Sequence, residues 1–327
     1  MEIQSNTSLR DFRSSMITLL NSSLVAVTLV ALIFAFSLVE PVFISDNNIL
    51  DLLQSIAVIG ALSIGQTFVI ITAGIDLSQG AVIALSGVLG AAVMGEIGGV
   101  GGIILGITVA LATGLGVGLL NGLLTAFTRI PAFIVTLGTL SIVGGGALLF
   151  TGGEPIYQLP SAFDTFGTDA IGVIPDIMVV TLVLAFFGQI LLTRTRFGRS
   201  VYAVGSNRRA ALLSGLPVRR NIVLVYVLSG ILSAIGGVLL TAYVNSALPT
   251  AGANYELYSI AAVVIGGGSL FGGQGNVWAS MLGVLLIGTL DNGTDLLGFS
   301  TYLQVVMLGC VVIGAVFIDS FRKRVAI

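Results

Sequence analysis

Asp76 is the residue of this chain whose setting most suggests chemistry. It lies in Gly74-Ile75-Asp76-Leu77-Ser78, the one break in an otherwise apolar stretch from Leu52 to about Gly95. A charge carried to mid-bilayer costs roughly 2.5 to 3.5 kcal/mol on insertion scales, so an embedded aspartate either meets a substrate or holds structure. Gln79 follows three residues later, and the pair has the form of a capping box at the start of a helix. The cap is the favoured expectation, and direct ligation of a substrate the alternative. The other polar residues near apolar runs are neutral: Gln66, Thr67, Thr72, Asn121, Gln189, Asn245, Asn292 and Gln304. Such a lining suits an uncharged polyol better than an ion, although the same side chains also serve to bridge helices. Gln66, Thr67, Asp76, Asn121, Asn245 and Asn292 form the candidate pathway set.

Other chemistry is absent. There is no histidine, which removes the commonest metal ligand and proton relay. Cys310 is the single cysteine, lies in an apolar run and reads as core packing. No GxxxxGK[ST] motif occurs and the only lysine is Lys323, so the chain holds no phosphate-binding P-loop of its own. The Gly-rich run 266–275 lacks the βαβ context of a dinucleotide site. No catalytic residue and no metal site are expected, and an active transporter of this kind would draw its energy from another polypeptide.

The elements that must position these residues are membrane helices. The 327 residues are 56% hydrophobic and 9% charged, with 44 glycines and a mean hydropathy of +1.09. Soluble chains carry about 25% charged residues, and the apolar runs here exceed the roughly 20 residues needed to cross a bilayer. The runs are continuous rather than alternating, which selects helices over a barrel. Without linkers or low-complexity segments, residues 1–327 read as one membrane domain. The first run, from about Ile17 to Val39, is too long for a signal peptide.

Arginine placement orients the chain. Seven of the thirteen cations (Arg194, Arg196, Arg199, Arg208, Arg209, Arg219, Arg220) lie between apolar runs in residues 194–220, a cytoplasmic loop by the positive-inside rule. With ten crossings and both termini inside, all thirteen cations fall on that side and eleven of the fifteen acids on the other. The count requires two short pieces within Tyr258–Leu290, interrupted at 266–275. At about 15 residues each they would span only about 22 Å of a roughly 30 Å core. Gly114, Gly118 and Gly122 place small residues on one helix face. Residues 152–176 and Asp291–Gly298 read as acidic outer turns, and 244–257 as an outer link.

One short helix is expected in the basic loop. Asn207 is a good N-cap, Arg208–Ser214 the helical run, Gly215 the left-handed residue beyond it, and Pro217 the stop. Its small apolar side, with Ala210, Ala211, Leu212 and Leu213, could enter a groove on a partner, or its arginines could anchor to anionic headgroups.

The runs GQTFVIITAGIDLSQGAVIALSGVLGA (65–91), RTRFGRSVYAVGSNRRAALLSGLPV (194–218) and PTAGANYELYSIAAVVIGGGSLFGGQGNVWASMLGVLLIG (249–288) resemble the permease subunits of ribose/galactose-type bacterial ABC sugar importers. The resemblance implies an all-α, vitamin B12-importer-like (type II) fold of about ten helices with an inverted repeat, in the bacterial inner membrane. It implies a second permease copy, identical or similar, with the pathway at their interface. It further implies two cytoplasmic ABC ATPase domains that hold ATP and magnesium, an extracytoplasmic sugar-binding protein, a lipid environment and no nucleic acid. Gly205, Asn207, Arg208, Arg209, Ala211, Leu212, Leu213 and Gly215 then become the ATPase-coupling set. Because the outer face has no arginine, the binding protein would dock on Glu154, Asp164, Asp169, Asp176 and Glu256. The implied cargo is a ribose-like pentose or a hexose. A nucleoside or autoinducer permease of the same superfamily is the alternative, and a self-sufficient carrier or channel the reading from another class.

Overall fold

The computed structural model describes residues 24–157 and 159–325. Arg10, Arg13 and the start of the first expected crossing lie outside them. The described residues are mostly helical: α1 (Leu24–Val39), α2 (Asp46–Ile71), α3 (Gln79–Ile97), α4 (Gly99–Phe127), α5 (Ala132–Thr151), α6 (Ser161–Thr168), α7 (Asp176–Arg194), α8 (Arg196–Ser206), α9 (Arg208–Leu213), α10 (Val218–Val244), α11 (Tyr255–Ile265), α12 (Val277–Leu296) and α13 (Thr301–Val325). Seven of the described helices, α2, α3, α4, α5, α7, α10 and α13, are long and apolar enough to cross a membrane. Between α6 and α7 a two-residue antiparallel hairpin pairs Ala170 with Pro175 and Ile171 with Ile174.

The core sits on α2. Helices that are apolar on every side are buried on every side, and from Ile56 to Ile71 every residue of α2 is buried. Helix α10 packs beside it: a Cβ on Gly65 would stand 2.9 Å from the Ser229 backbone. The glycine row of α4 is used within the chain. Gly114 abuts Gly230 and Ala234, Gly118 abuts Tyr226 and Val227, and Gly122 abuts Val223, all on α10. Close backbone approach of this kind is what holds membrane helices together where no hydrophobic drive operates. By contrast α4, α5, α7 and α13 keep most of their surface uncovered.

Two breaks interrupt the bundle, and hydrogen bonds fix their depth. Gln79, first residue of α3, donates Nε2 to the Leu62 carbonyl at 3.1 Å. Leu62 lies nine residues before the end of α2, about 13 Å at 1.5 Å per residue. The chain therefore climbs back into the bundle after Ile71, and α3 begins well inside it. Helix α11 is likewise internal at its start. Its Ser259 donates to Gln79 Oε1 at 2.7 Å, and Gly252 and Glu256 press against Gly80.

Several expectations need correction. The two pieces within 258–290 are unequal: α11 has 11 residues and α12 has 20. Residues 245–254 form a non-helical descent to the level of Gly80, because a half-length helix cannot cover the distance alone. The turn expected from Asp291 is helical as far as Leu296, since Thr294 Oγ1 returns its bond to the Leu290 carbonyl and the polar residues stay within one ladder. Residues 152–176 contain α6, whose Phe163 is buried. Cys310 is exposed on α13 rather than packed in the core. The basic loop holds two helices rather than the one expected: α8, capped by Thr195 Oγ1 on the Gly198 N–H, precedes α9.

Candidate functional site

The first feature is a buried polar network around the inner break. Asp76 is 1% exposed. Its Oδ1 accepts from the Ser78 N–H at 3.0 Å and the Ser78 hydroxyl at 2.6 Å, and its Oδ2 accepts from the Ser229 hydroxyl at 2.7 Å. Asn121 of α4 donates to Ser78 Oγ at 2.8 Å and accepts from Thr139 of α5 at 2.6 Å. Gln79 does not reach back to Asp76. It donates to Leu62 O and Ser229 Oγ and accepts from Ser259. The capping box is therefore not formed, although Asp76 does tie down one N–H at the approach to α3. The carboxylate instead joins α3 directly to α10 and, through Ser78 and Asn121, to α4 and α5. Every acceptor position used points at protein, so neither Asp76 nor Asn121 is available to a substrate in this conformation.

The second feature is the junction where α8 and α9 meet both breaks. Asn207 caps α9 by accepting from the Ala210 N–H at 2.9 Å, and Gly215 takes φ +77°, where an L side chain is strained. Ala211 is buried, whereas Leu212 and Leu213 are 64% and 81% exposed. The α9 helix thus presents two leucines outward and anchors through one alanine. Gly205 sits on the end of α2 so closely that any Cβ would overlap the Ile71 carbonyl. That carbonyl accepts from the Gly273 N–H at 2.8 Å. Tyr202 of α8 donates to the Gly275 carbonyl at 2.6 Å, and burial pushes its phenol above the usual range. Asp319 of α13 accepts from the Leu270 N–H at 3.0 Å and Ser269 Oγ at 3.2 Å. The Gly-rich loop 266–275 is thereby tied to α2, α8 and α13 together. Gln189 Oε1 adds a cap on Val277 at the start of α12.

The remaining sequence-derived residues scatter. Gln66 is buried with neither amide atom partnered, and Thr67 pairs with Ser280 at 2.8 Å. Asn292 exchanges two 2.9 Å bonds with Asn48 at the start of α2. Asn245 is exposed in a left-handed conformation that ends α10. Of the acidic docking set, Glu154 and Asp169 are exposed, and Asp164 and Asp176 are half-buried. Glu256 is 9% exposed and faces Gly80 inside the bundle, because the link before it dips inward; it leaves the docking set. Arg208 lines a polar cavity with Thr72, Thr125, Arg129 and Tyr226, while Arg209 is simply exposed. No cluster of three His, Cys, Asp or Glu residues that could hold a metal occurs among the described residues. Sequence reasoning missed Tyr202, Ser229, Ser259 and Asp319. Each makes its bond across 49 or more residues of chain, and only α8 carried a local signal, in its Thr195 cap and the Phe197, Val201, Val204 spacing.

The model of the family described as "Branched-chain amino acid transport system / permease component" matches residues 48–316. The ribose import permease protein of Bacillus subtilis is 47% identical over 300 residues, covering 90% of this chain and 91% of the relative. The D-allose transport system permease protein of Escherichia coli K12 is 36% identical over 88% of each chain. The fructose import permease protein of Rhizobium meliloti is 36% identical, covering 94% of this chain and 88% of the relative. No solved structure matches the chain at comparable significance. Seven apolar helices long enough to cross a bilayer, and a family match over most of the chain, make this polypeptide a multi-pass membrane member of the branched-chain amino acid transport system / permease component family.

Proposed function

We propose that the chain is the membrane subunit of an ATP-driven importer of an uncharged monosaccharide. The observation that carries the reading is α9: a capped, conformationally fixed helix with two exposed leucines, attached through α8 to both breaks of the bundle. The names of the relatives support the cargo. In this reading two copies, or one copy and a similar chain, cross the membrane ten times each in a type II arrangement with both termini inside. ATP and magnesium reside on two partner ATPase domains. Closure of those domains moves α9 and, through Gly205 on Ile71 and Tyr202 on Gly275, shifts the break loops. A sugar-binding protein docks on Glu154, Asp164, Asp169 and Asp176. No covalent chemistry takes place on this chain.

The test is reconstitution with the ATPase and binding protein in liposomes. Uptake of ribose, allose, xylose or fructose that requires ATP is the expected result, and Leu212→Pro abolishes uptake and sugar-stimulated hydrolysis together. Flux by the chain alone would instead make it a self-sufficient carrier. Full stimulation in Leu212→Pro would remove α9 from coupling.

A further inference from the structure

The polar cavity lined by Arg208 measures about 260 Å³ and lies where the end of α2, the α4–α5 turn, α9 and α10 meet. Arg129, from the turn, shares its wall with Arg208, and no carboxylate lines it. Both arginines are exposed, and neither has an acidic partner among the described residues. Asp76 is not part of the wall, and its oxygens are already held by Ser78 and Ser229.

Two like charges facing one space repel, the more so where protein and lipid lower the dielectric. An anion between them makes both interactions favourable, and guanidinium forks match the oxygens of a phosphate group. The wall also holds hydroxyls. Thr72 and Thr128 donate to the Val69 and Leu124 carbonyls of their own helices at 2.8 and 2.6 Å. Thr125 Oγ1, buried beside the Tyr226 phenol, makes no well-formed hydrogen bond, so its proton remains to be given. The volume is below the roughly 300 to 1,000 Å³ of sites for drug-sized ligands, which suits a head group and not a nucleotide.

The rim is apolar. Phe127, Ile130 and Phe133, on the turn and the helix ends beside it, are 58%, 45% and 49% exposed, and Arg219 stacks on Phe127 at 5.2 Å. A soluble anion has no use for such a rim, whereas the acyl chains of a lipid would lie against it. Basic pockets between membrane helices on the cytoplasmic side take anionic head groups in this way.

We propose that Arg129 and Arg208 form a binding site for a phosphate group of net negative charge, supplied by a lipid of the leaflet beside the basic loop. The bound phosphate ties α9, through Arg208, to the α4–α5 turn, through Arg129. The site goes beyond the importer reading and does not depend on it. A soluble phosphate ester offers the same chemistry, and the test separates the two sources.

Retention of lipid by the purified full chain is measured by native mass spectrometry with phosphatidylglycerol, and with phosphatidylcholine, whose choline would bring a further cation into the site. In parallel, calorimetry measures binding of inorganic phosphate and of ribose 5-phosphate to the chain in phosphatidylcholine nanodiscs. The expected result is preference for phosphatidylglycerol, weakened about tenfold in Arg129→Gln and in Arg208→Gln, as loss of a hydrogen bond to a charged group would weaken it. Arg199→Gln, on the same basic loop but outside the cavity, leaves it unchanged. All three residues are exposed, so the variants keep the fold. Binding of a soluble phosphate with the same arginine dependence supports the site and assigns it to a free ester. Equal retention or equal loss in all three variants reduces the effect to general surface charge and overturns the site, as does binding of neither source. As a second readout, bound lipid slows amide exchange in residues 207–214; unchanged exchange with lipid bound overturns the tie to α9.

Discussion

At the scale of single residues, Asp76 illustrates how a buried carboxylate is kept in a membrane protein that brings no cation to it. Three donors, two from Ser78 and one from Ser229, take the place of the lost hydration. Asp76→Ala orphans all three at once. With about 1 to 3 kcal/mol for a buried group left unmade, the variant loses several degrees of thermal midpoint in detergent, and Asp76→Asn, which keeps one acceptor oxygen, loses less. A midpoint for Asp76→Ala equal to that of the unmodified protein would show that the network is not structural. Gly205 makes the complementary case for a residue defined by what it lacks. Gly205→Ala must push α8 off Ile71, so the complex remains folded but hydrolyses ATP with little uptake. The ratio of sugar moved to ATP hydrolysed measures this, and an unchanged ratio would deny the contact any part in transmission.

At the scale of elements, α9 is too short to be stable alone, since isolated helices need about 12 to 15 residues. Its Asn207 cap, the Gly215 reversal and the burial of Ala211 supply what length does not. The two faces of α9 thus have different fates on mutation. Leu213→Asp leaves the fold intact and weakens association with the ATPase about tenfold or more, as removal of an exposed apolar anchor does. Ala211→Asp buries an unpaired charge and destabilises the protein. Co-purification of the ATPase, together with the elution profile of the permease alone, separates the two effects. Wild-type co-purification by Leu213→Asp would point to another docking surface.

At the scale of the whole molecule, the uncovered faces of α4, α5, α7 and α13 are where lipid and a second copy are expected to lie. Arg219 stacks over Phe127 at 5.2 Å, joining α4 and α10 at the ends nearest the basic loop. The orientation is open to direct measurement in a Cys310→Ser background. Cysteine at Ser206 is reached by an impermeant reagent only from the cytoplasm, and cysteine at Glu154 only from outside. The reverse pattern would invert every side assigned to the chain.

How much of this was legible in the chain follows from the range of the forces involved. Hydropathy is local and additive, so the membrane class and most helix positions were readable directly. The α9 cap and its Gly215 stop were readable as well, because a cap acts within one turn. The pairing of the α4 glycine row with α10, the re-entry that places Gln79 beside Leu62, and the burial of Glu256 depend on segments far apart in sequence. Cys310 reads as core from its apolar neighbours, yet it lies outward, because in a membrane protein apolarity marks lipid contact and core alike. In the same way, the hydroxyl of Thr181, which reaches the Ala57 carbonyl of α2 at 2.8 Å, cannot be told from the many threonines bonded only to their own helix until packing shows which carbonyls surround it.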